Sequence, residues 1–415
     1  MGLFTVRREV FITRLLQDQT QTQTGVPATL PAVLSTTTAS DPPLHGGRLH
    51  QAAQHFAIPV GEWIDLSTGI NPHPYPLPKV PAAVWQQLPD EGDRLHAVAA
   101  RYYGSNSLLP VSGSQAAIES LPRLRTPGRV GILSPAYAEY GYQWQRQGHR
   151  VAALSATELE ARLPQLEVVV VIRPNNPTAE LLSAPRLLRW LAVLQQHQGW
   201  LVVDEAFLDA SPESGLLSLI QETPREGLIV LRSVGKFFGL AGIRLGFVWA
   251  EAALLDAIAR LQPVWSVSSV ARWAGAIALE DREWQAQMRP QLALESRRLE
   301  TLLQSSLQEQ EQEQEQEQEQ EQEQELQPQQ SWICASTPLF CTVSIGDAPP
   351  GTAAGIFRQL AKRGVLIRYY EQPQRLRLGL PADEHAWQRL DAALAELKRG
   401  LEPGEIPVPL DLSDQ

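Results

Sequence analysis

Sulfur is scarce in this 415-residue chain. Its two cysteines, Cys334 and Cys341, are too few for a disulfide framework and have no metal-ligand companions at useful spacing. They read as buried thiols in a reducing, cytoplasmic setting, with no metal implied. Long apolar runs are missing: none approaches the ~20 residues of a membrane span. Met1 to Gln17 carries Arg7, Arg8 and Arg14, but no continuous signal-peptide core follows. Positive charge is not in excess either. The formal net charge is −11, and nine glutamates at every second position from Glu309 to Glu325 supply most of it. Without them the rest of the chain stands at −2, so no basic surface for nucleic acid is implied. Phosphate-loop fingerprints fail as well. Gly235-Lys236 is followed by Phe237 rather than Ser or Thr, and Gly239, Gly242 and Gly246 do not make G-x-G-x-x-G.

What is present suffices for a large core or two domains, with an ordinary 43% of hydrophobic residues. Residues 1–44, rich in Gln, Thr, Pro and Ala from Gln19 to Thr38, read as a disordered or extended tail. Four short apolar runs follow: Arg129 to Leu133, Val168 to Ile172, Trp200 to Val203 and Leu228 to Leu231. Helical patterns such as Ala184 to Gln196 lie between them. That alternation predicts an α/β fold with buried, mostly parallel strands in a large domain, 95–284. From 285 to 402 the rhythm changes. Val365 to Tyr370 and Arg375 to Leu380 read as strands, and Glu384 to Leu397 has helical spacing, giving a smaller α+β domain. Residues 45–94 pack with it or bridge to it. The Glu-Gln run at 308–327 interrupts a helical pattern from Trp284 to Leu307 and reads as an exposed insertion, or an extended helix. Residues 403–415 read as a second tail.

Polar residues of interest fall just beyond the apolar runs, where open α/β sheets bind ligands. Lys236, in Ser-Val-Gly-Lys-Phe-Phe-Gly (233–239), is an amine able to hold an aldehyde. Asp204 ends a strand in Val-Val-Asp-Glu-Ala-Phe, and a carboxylate there can pair a cationic ring nitrogen or merely cap a helix. Asn176, in Arg-Pro-Asn-Asn-Pro-Thr, offers an amide donor or a turn. Gly113, Ser114 and Gln115 open a helix whose backbone N–H groups can face a phosphate, with Ser112 before them as a possible N-cap. Ser233 and Arg244 can complete that cup, Arg244 by a bidentate contact. Tyr137, in Ser-Pro-Ala-Tyr-Ala-Glu-Tyr, can stack on a ring or simply pack.

In that order the set resembles the class I/II aminotransferase superfamily, fold-type I enzymes that use pyridoxal 5'-phosphate, across roughly residues 45–400. His45-Gly46-Gly47, Leu66-Ser67-Thr68-Gly69-Ile70-Asn71-Pro72 and Asp204-Glu205-Ala206-Phe207 bring it nearer to the histidinol-phosphate aminotransferase group. Nearer still are the threonine-phosphate decarboxylases of cobalamin biosynthesis. The resemblance implies a homodimer with Lys236 and Asp204 as catalytic residues. It implies that Gly113, Ser114, Gln115, Tyr137, Asn176, Ser233 and Arg244 bind the cofactor with them. It implies a small phosphorylated amino acid as substrate, met by His45, Gly46, Gly69, Asn176, Arg368 and Arg377. Two departures stand out. Phe207 replaces a tyrosine that donates to the cofactor in many relatives, and Leu88 precedes Pro89-Asp90 where relatives have a tyrosine reaching the partner's site. Both point away from ordinary transamination. A decarboxylase, a histidinol-phosphate transaminase and a non-catalytic protein that kept the fold remain the three readings.

Overall fold

The computed structural model describes residues 42–43, 45–212, 215–217, 225–318, 332–346 and 348–400. The tail expected at 1–44 lies outside them except for 42–43, as do 403–415 and the part of the Glu-Gln run beyond 318. The described residues belong to one compact unit.

Strands β1 (Ile64–Asp65), β2 (Leu108–Val111), β3 (Arg129–Leu133), β4 (Arg150–Leu154), β5 (Val168–Ile172), β6 (Trp200–Asp204), β7 (Leu228–Ser233) and β8 (Gly246–Trp249) come first. Seven of these form one sheet in the order β2-β8-β7-β6-β5-β3-β4. All run one way except β8, which is antiparallel to both neighbours. β5 reads Val-Val-Val-Val-Ile and all five residues are buried. A strand covered on both faces cannot alternate, which is why the sequence shows a continuous run there. The helix Ala184–Gln195 buries Leu187, Trp190, Leu191 and Leu194, a stripe at helical spacing that packs on β6. Each such burial contributes about 1.5–3 kcal/mol.

A second sheet, β12-β13-β10-β9, is antiparallel throughout; its strands are β9 (Ile333–Thr337), β10 (Phe340–Ser344), β12 (Arg368–Glu371) and β13 (Gln374–Gly379). The single strand expected over 365–370 is two. β11 (Val365–Leu366) pairs in parallel with β1, then the chain changes partner at buried Ile367 and continues as β12. An apolar run shows extended backbone but not which strand it pairs with. The helix that begins at Arg282 continues to Gln318, so the first part of the Glu-Gln run is helical.

The N-terminal segment ties the two sheets together. The Leu66 carbonyl accepts from Gly379 N at 2.7 Å. Five residues on, Asn71 N donates to the Lys236 carbonyl at 3.0 Å, and its Nδ2 donates to the Phe237 carbonyl at 2.7 Å.

Candidate active site

Loops from five parallel strands open at one edge of the large sheet. β2 leads to Gly113, Ser114 and Gln115, and β3 to Tyr137. β5 leads to Asn176, β6 ends at Asp204, and β7 runs through Ser233 into Lys236. They surround a cavity of about 580 Å³. Ser114, Gln115, Tyr137, Asn176, Asp204, Ser233, Lys236 and Arg244 line it. His45, Gly46, Arg368 and Arg377 close it from the opposite side. Gly113 and Gly69 stand just behind the wall, against Arg244 and Phe207 respectively.

Lys236 is the chemical centre. Its Nζ lies 3.5 Å from the Thr68 carbonyl and 5.2 Å from the centroid of the Phe207 ring. Burial lowers its pKa to about 8, with Arg377 and Arg244 adding to the effect and Asp204 opposing it. A useful fraction of the amine is therefore unprotonated near neutrality.

Asp204 is 5% exposed. Its Oδ2 accepts from the Tyr140 hydroxyl at 2.9 Å and its Oδ1 from Ala206 N at 2.9 Å. Burial nonetheless pushes its pKa up, against those two donors and Lys236. A cation across the cavity would favour the ionised form, and the ring nitrogen of pyridoxal phosphate fits that need. Neighbouring Glu205 is fully buried but bound to Arg173 at 3.0 Å and to Arg232 at 2.6 Å.

The phosphate end is shaped by two glycines. Gly113 has φ +73°, and a Cβ there would meet Arg244 Nη2 at 2.7 Å. A Cβ at Gly246 would come within 2.7 Å of Ser114 N. Their bareness brings the Arg244 guanidinium, the Ser114 backbone and Ser233 into one cup, the donor set a dianion requires. Arg244 itself sits at φ +53°, a costly conformation for a side chain with a Cβ. Tyr137 caps the helix Ala138–Arg146, and its hydroxyl donates to Gln115 Oε1 at 3.4 Å. Burial, then Glu139, raises its pKa to about 12, so it stays neutral. These residues fit pyridoxal phosphate at its aldehyde, ring-nitrogen and phosphate ends.

The opposite wall is cationic. Arg368 and Arg377 are directly paired across β12 and β13 and so share a sheet face. Arg377 is 5% exposed. It donates from Nη1 to Asn176 Oδ1 and from Nη2 to the Ser67 carbonyl, each at 2.5 Å, and its Nε has no partner among the described residues. Both acceptors are neutral, and burial lowers its pKa. A buried guanidinium in that state favours an anionic ligand. The same contact occupies Asn176 Oδ1, leaving Nδ2 as its donor. Gly46 packs so closely that a Cβ would lie 2.4 Å from the Ser67 carbonyl oxygen. Gly69 has φ +61° beneath the Phe207 ring.

Sequence reasoning missed Tyr140 and Glu139. Tyr140 lies three residues after Tyr137, one helical turn on, and that spacing is the signal that points it at the sheet. Of the two departures, Phe207 is buried edge-on against Phe340 at 5.2 Å, and Leu88 is 64% exposed.

Residues 63–393 match the model of the family described as aminotransferase class I and II. A threonine-phosphate decarboxylase of Pseudomonas aeruginosa is 46% identical over 355 residues, covering 85% of this chain and 98% of the relative. A histidinol-phosphate aminotransferase of Dechloromonas aromatica is 28% identical, covering 60% and 73%. Among solved structures, histidinol-phosphate aminotransferase from Sinorhizobium meliloti in complex with pyridoxal-5'-phosphate is similar in fold. Its TM-score is 0.70 at 19% identity, over 86% of this chain and 98% of that one. L-threonine-O-3-phosphate decarboxylase from Porphyromonas gingivalis gives a TM-score of 0.56 at 17% identity, over 76% and 93%. The chain belongs to the aminotransferase class I and II family and has its fold-type I architecture.

Proposed function

We propose that this chain is a pyridoxal-phosphate-dependent decarboxylase of L-threonine O-3-phosphate. It releases carbon dioxide and (R)-1-amino-2-propanol O-2-phosphate for cobalamin biosynthesis. The observation that carries the reading is the 46% identity to a threonine-phosphate decarboxylase over 98% of that relative's length.

When bound, pyridoxal phosphate supplies an aldehyde for an amine and a protonated ring that accepts the electron pair of a bond broken at the α-carbon. The chain's residues do the rest. Lys236 would hold the cofactor through its amine, which burial keeps partly unprotonated. Asp204, steadied by Tyr140 and the Ala206 N–H, keeps the ring nitrogen protonated. Gly113, Ser114, Gln115, Ser233 and Arg244 seat the phosphate, while Tyr137 covers the ring and Asn176 donates from Nδ2. Arg377 and Arg368 take the substrate's anions, with His45, Gly46 and Gly69 shaping their end of the cavity. Two cations suit a carboxylate and a phosphate. Their placement would set how the substrate's carboxylate is presented to the cofactor, and so whether that group is the one lost. Lys236, free by then, delivers a proton to the α-carbon. Phe207 cannot donate a hydrogen bond, so Asn176 acts without the second donor of many transaminases.

The protein works as a homodimer in this reading. Trp85, Leu88, Val264 and Trp265 are 58–77% exposed, and their segments are joined where Ser269 Oγ donates to the Gln87 carbonyl at 2.7 Å. Such a patch favours a second copy of the chain. Two free thiols suit the cytoplasm, and no helix of the described residues is long and apolar enough to cross a membrane. The working division is a large domain at 95–284, a small one at 285–402, and 45–94 between them.

The test is a product assay. Holoenzyme given threonine phosphate alone should release carbon dioxide without 2-oxoglutarate. Turnover of histidinol phosphate that requires a keto acid, with no carbon dioxide from threonine phosphate, overturns the reading.

A further inference from the structure

The buried carboxylate of Glu139 has no part in the chemistry above. Glu139 is the second residue of the helix Ala138–Arg146 and is 6% exposed. It accepts from three side chains: His45 Nε2 at 2.7 Å, Gln143 Nε2 at 2.9 Å and Gln115 Nε2 at 3.0 Å. Taking a carboxylate out of water is costly, and neutral carboxamides offset that only in part. A leucine or glutamine would pack at this position without that cost. What the charge secures is the His45 ring.

His45 precedes Gly46-Gly47 and lies in no helix or strand. Its ring is held by Glu139 and by the Tyr137 ring, 5.5 Å away between centroids. It stands on the wall that the main cavity shares with a second chamber of about 360 Å³, and Arg368 stands on the same wall. A carboxylate on one imidazole nitrogen fixes the proton there and the plane of the ring. With Nε2 turned to Glu139, Nδ1 is the nitrogen left for a ligand, and it donates to a phosphate oxygen when the ring carries both protons.

We propose that Glu139 is a positioning residue. By gripping Nε2 it sets His45 beside Arg368 as the receptor for the substrate's phosphate, and thereby selects phosphorylated over unphosphorylated amino acids. The proposal rests on the substrate class proposed above.

The experiment is a double-mutant cycle on holoenzyme with Glu139→Gln and His45→Gln. Glu139→Gln keeps the shape and removes the charge. His45 is 38% exposed at its side chain, so its replacement leaves no buried gap. Dissociation constants for L-threonine O-3-phosphate and for L-threonine are read from the cofactor's absorbance change, and kcat is measured separately. Each single variant should bind the phosphorylated amino acid about tenfold more weakly, and Glu139→Gln, which touches no substrate, should do so at little cost in kcat. Binding of threonine should stay within about twofold. The double variant should be no worse than His45→Gln, because one residue acts through the other. Losses that multiply, or equal losses for both amino acids, overturn the proposal. So does weaker cofactor binding in Glu139→Gln, which would place its action at Gln115 and Tyr137. If wild-type enzyme binds threonine phosphate but releases no carbon dioxide, the decarboxylase reading falls while the cycle still decides this one.

Discussion

The two sides of the cavity are built by different rules. On the large-sheet side Asp204, Lys236 and Asn176 each sit at or just beyond the end of a parallel strand, so backbone order places them at one edge. On the small-sheet side, Arg368 and Arg377 reach the cavity through the register of an antiparallel pair. The first arrangement tolerates variation in the strands as long as they stay buried. The second does not, because a slip of one residue between the two strands would turn one arginine to the other face. Cofactor chemistry is thus anchored by topology, and substrate choice by pairing.

Four variants test that division. The largest effect is expected for Lys236→Ala, where carbon dioxide release should fall on the order of 10³-fold or more and the bound cofactor should lose its lysine-linked absorbance. Asp204→Asn should cost roughly 10²–10³ in kcat with binding of threonine phosphate little changed, since it acts on the ring and not on the substrate. Arg377→Lys should do the reverse, raising KM roughly 10- to 100-fold while the cofactor spectrum holds. If Arg377→Lys instead loses cofactor, the two sides are not separable. Tyr140→Phe should lower kcat only about three- to tenfold by removing one donor to Asp204.

A pH measurement sharpens the comparison. Burial, followed by Arg377, depresses the Lys236 pKa to about 8. The apoenzyme's amine should therefore be unreactive toward an amine-labelling reagent well below pH 8. Its reactivity should rise through about pH 8. In Arg377→Gln the Lys236 midpoint should move up, because a nearby positive charge has gone. An unmoved midpoint would mean that the two sides are electrostatically independent.

Legibility followed the same division. The strands after which Asp204 and Lys236 lie were visible as apolar runs, because burial on both faces leaves no polar alternation to confuse them. The motifs around Asn176, Ser233 and Arg244 fell in chain order beside those runs. The break between β11 and β12 was not visible, since Val365 to Tyr370 carries the same extended pattern on either side of it. Nor was Glu139. Nothing local distinguishes it from a solvated first-turn glutamate, and its partners His45 and Gln115 are 94 and 24 residues distant. Tyr140 was hidden for a related reason: its partner Asp204 is 64 residues away.

The segment from Leu66 to Asn71 has a mechanical consequence. One end is fastened by a peptide hydrogen bond to Gly379, two residues past Arg377, and the other to the carbonyl of Lys236 itself. Arg377 also grips this strap beside its first end, at the Ser67 carbonyl. The guanidinium that would meet an arriving anion and the backbone of the reactive lysine are therefore fastened to the same short stretch of chain, the five residues from Ser67 to Asn71.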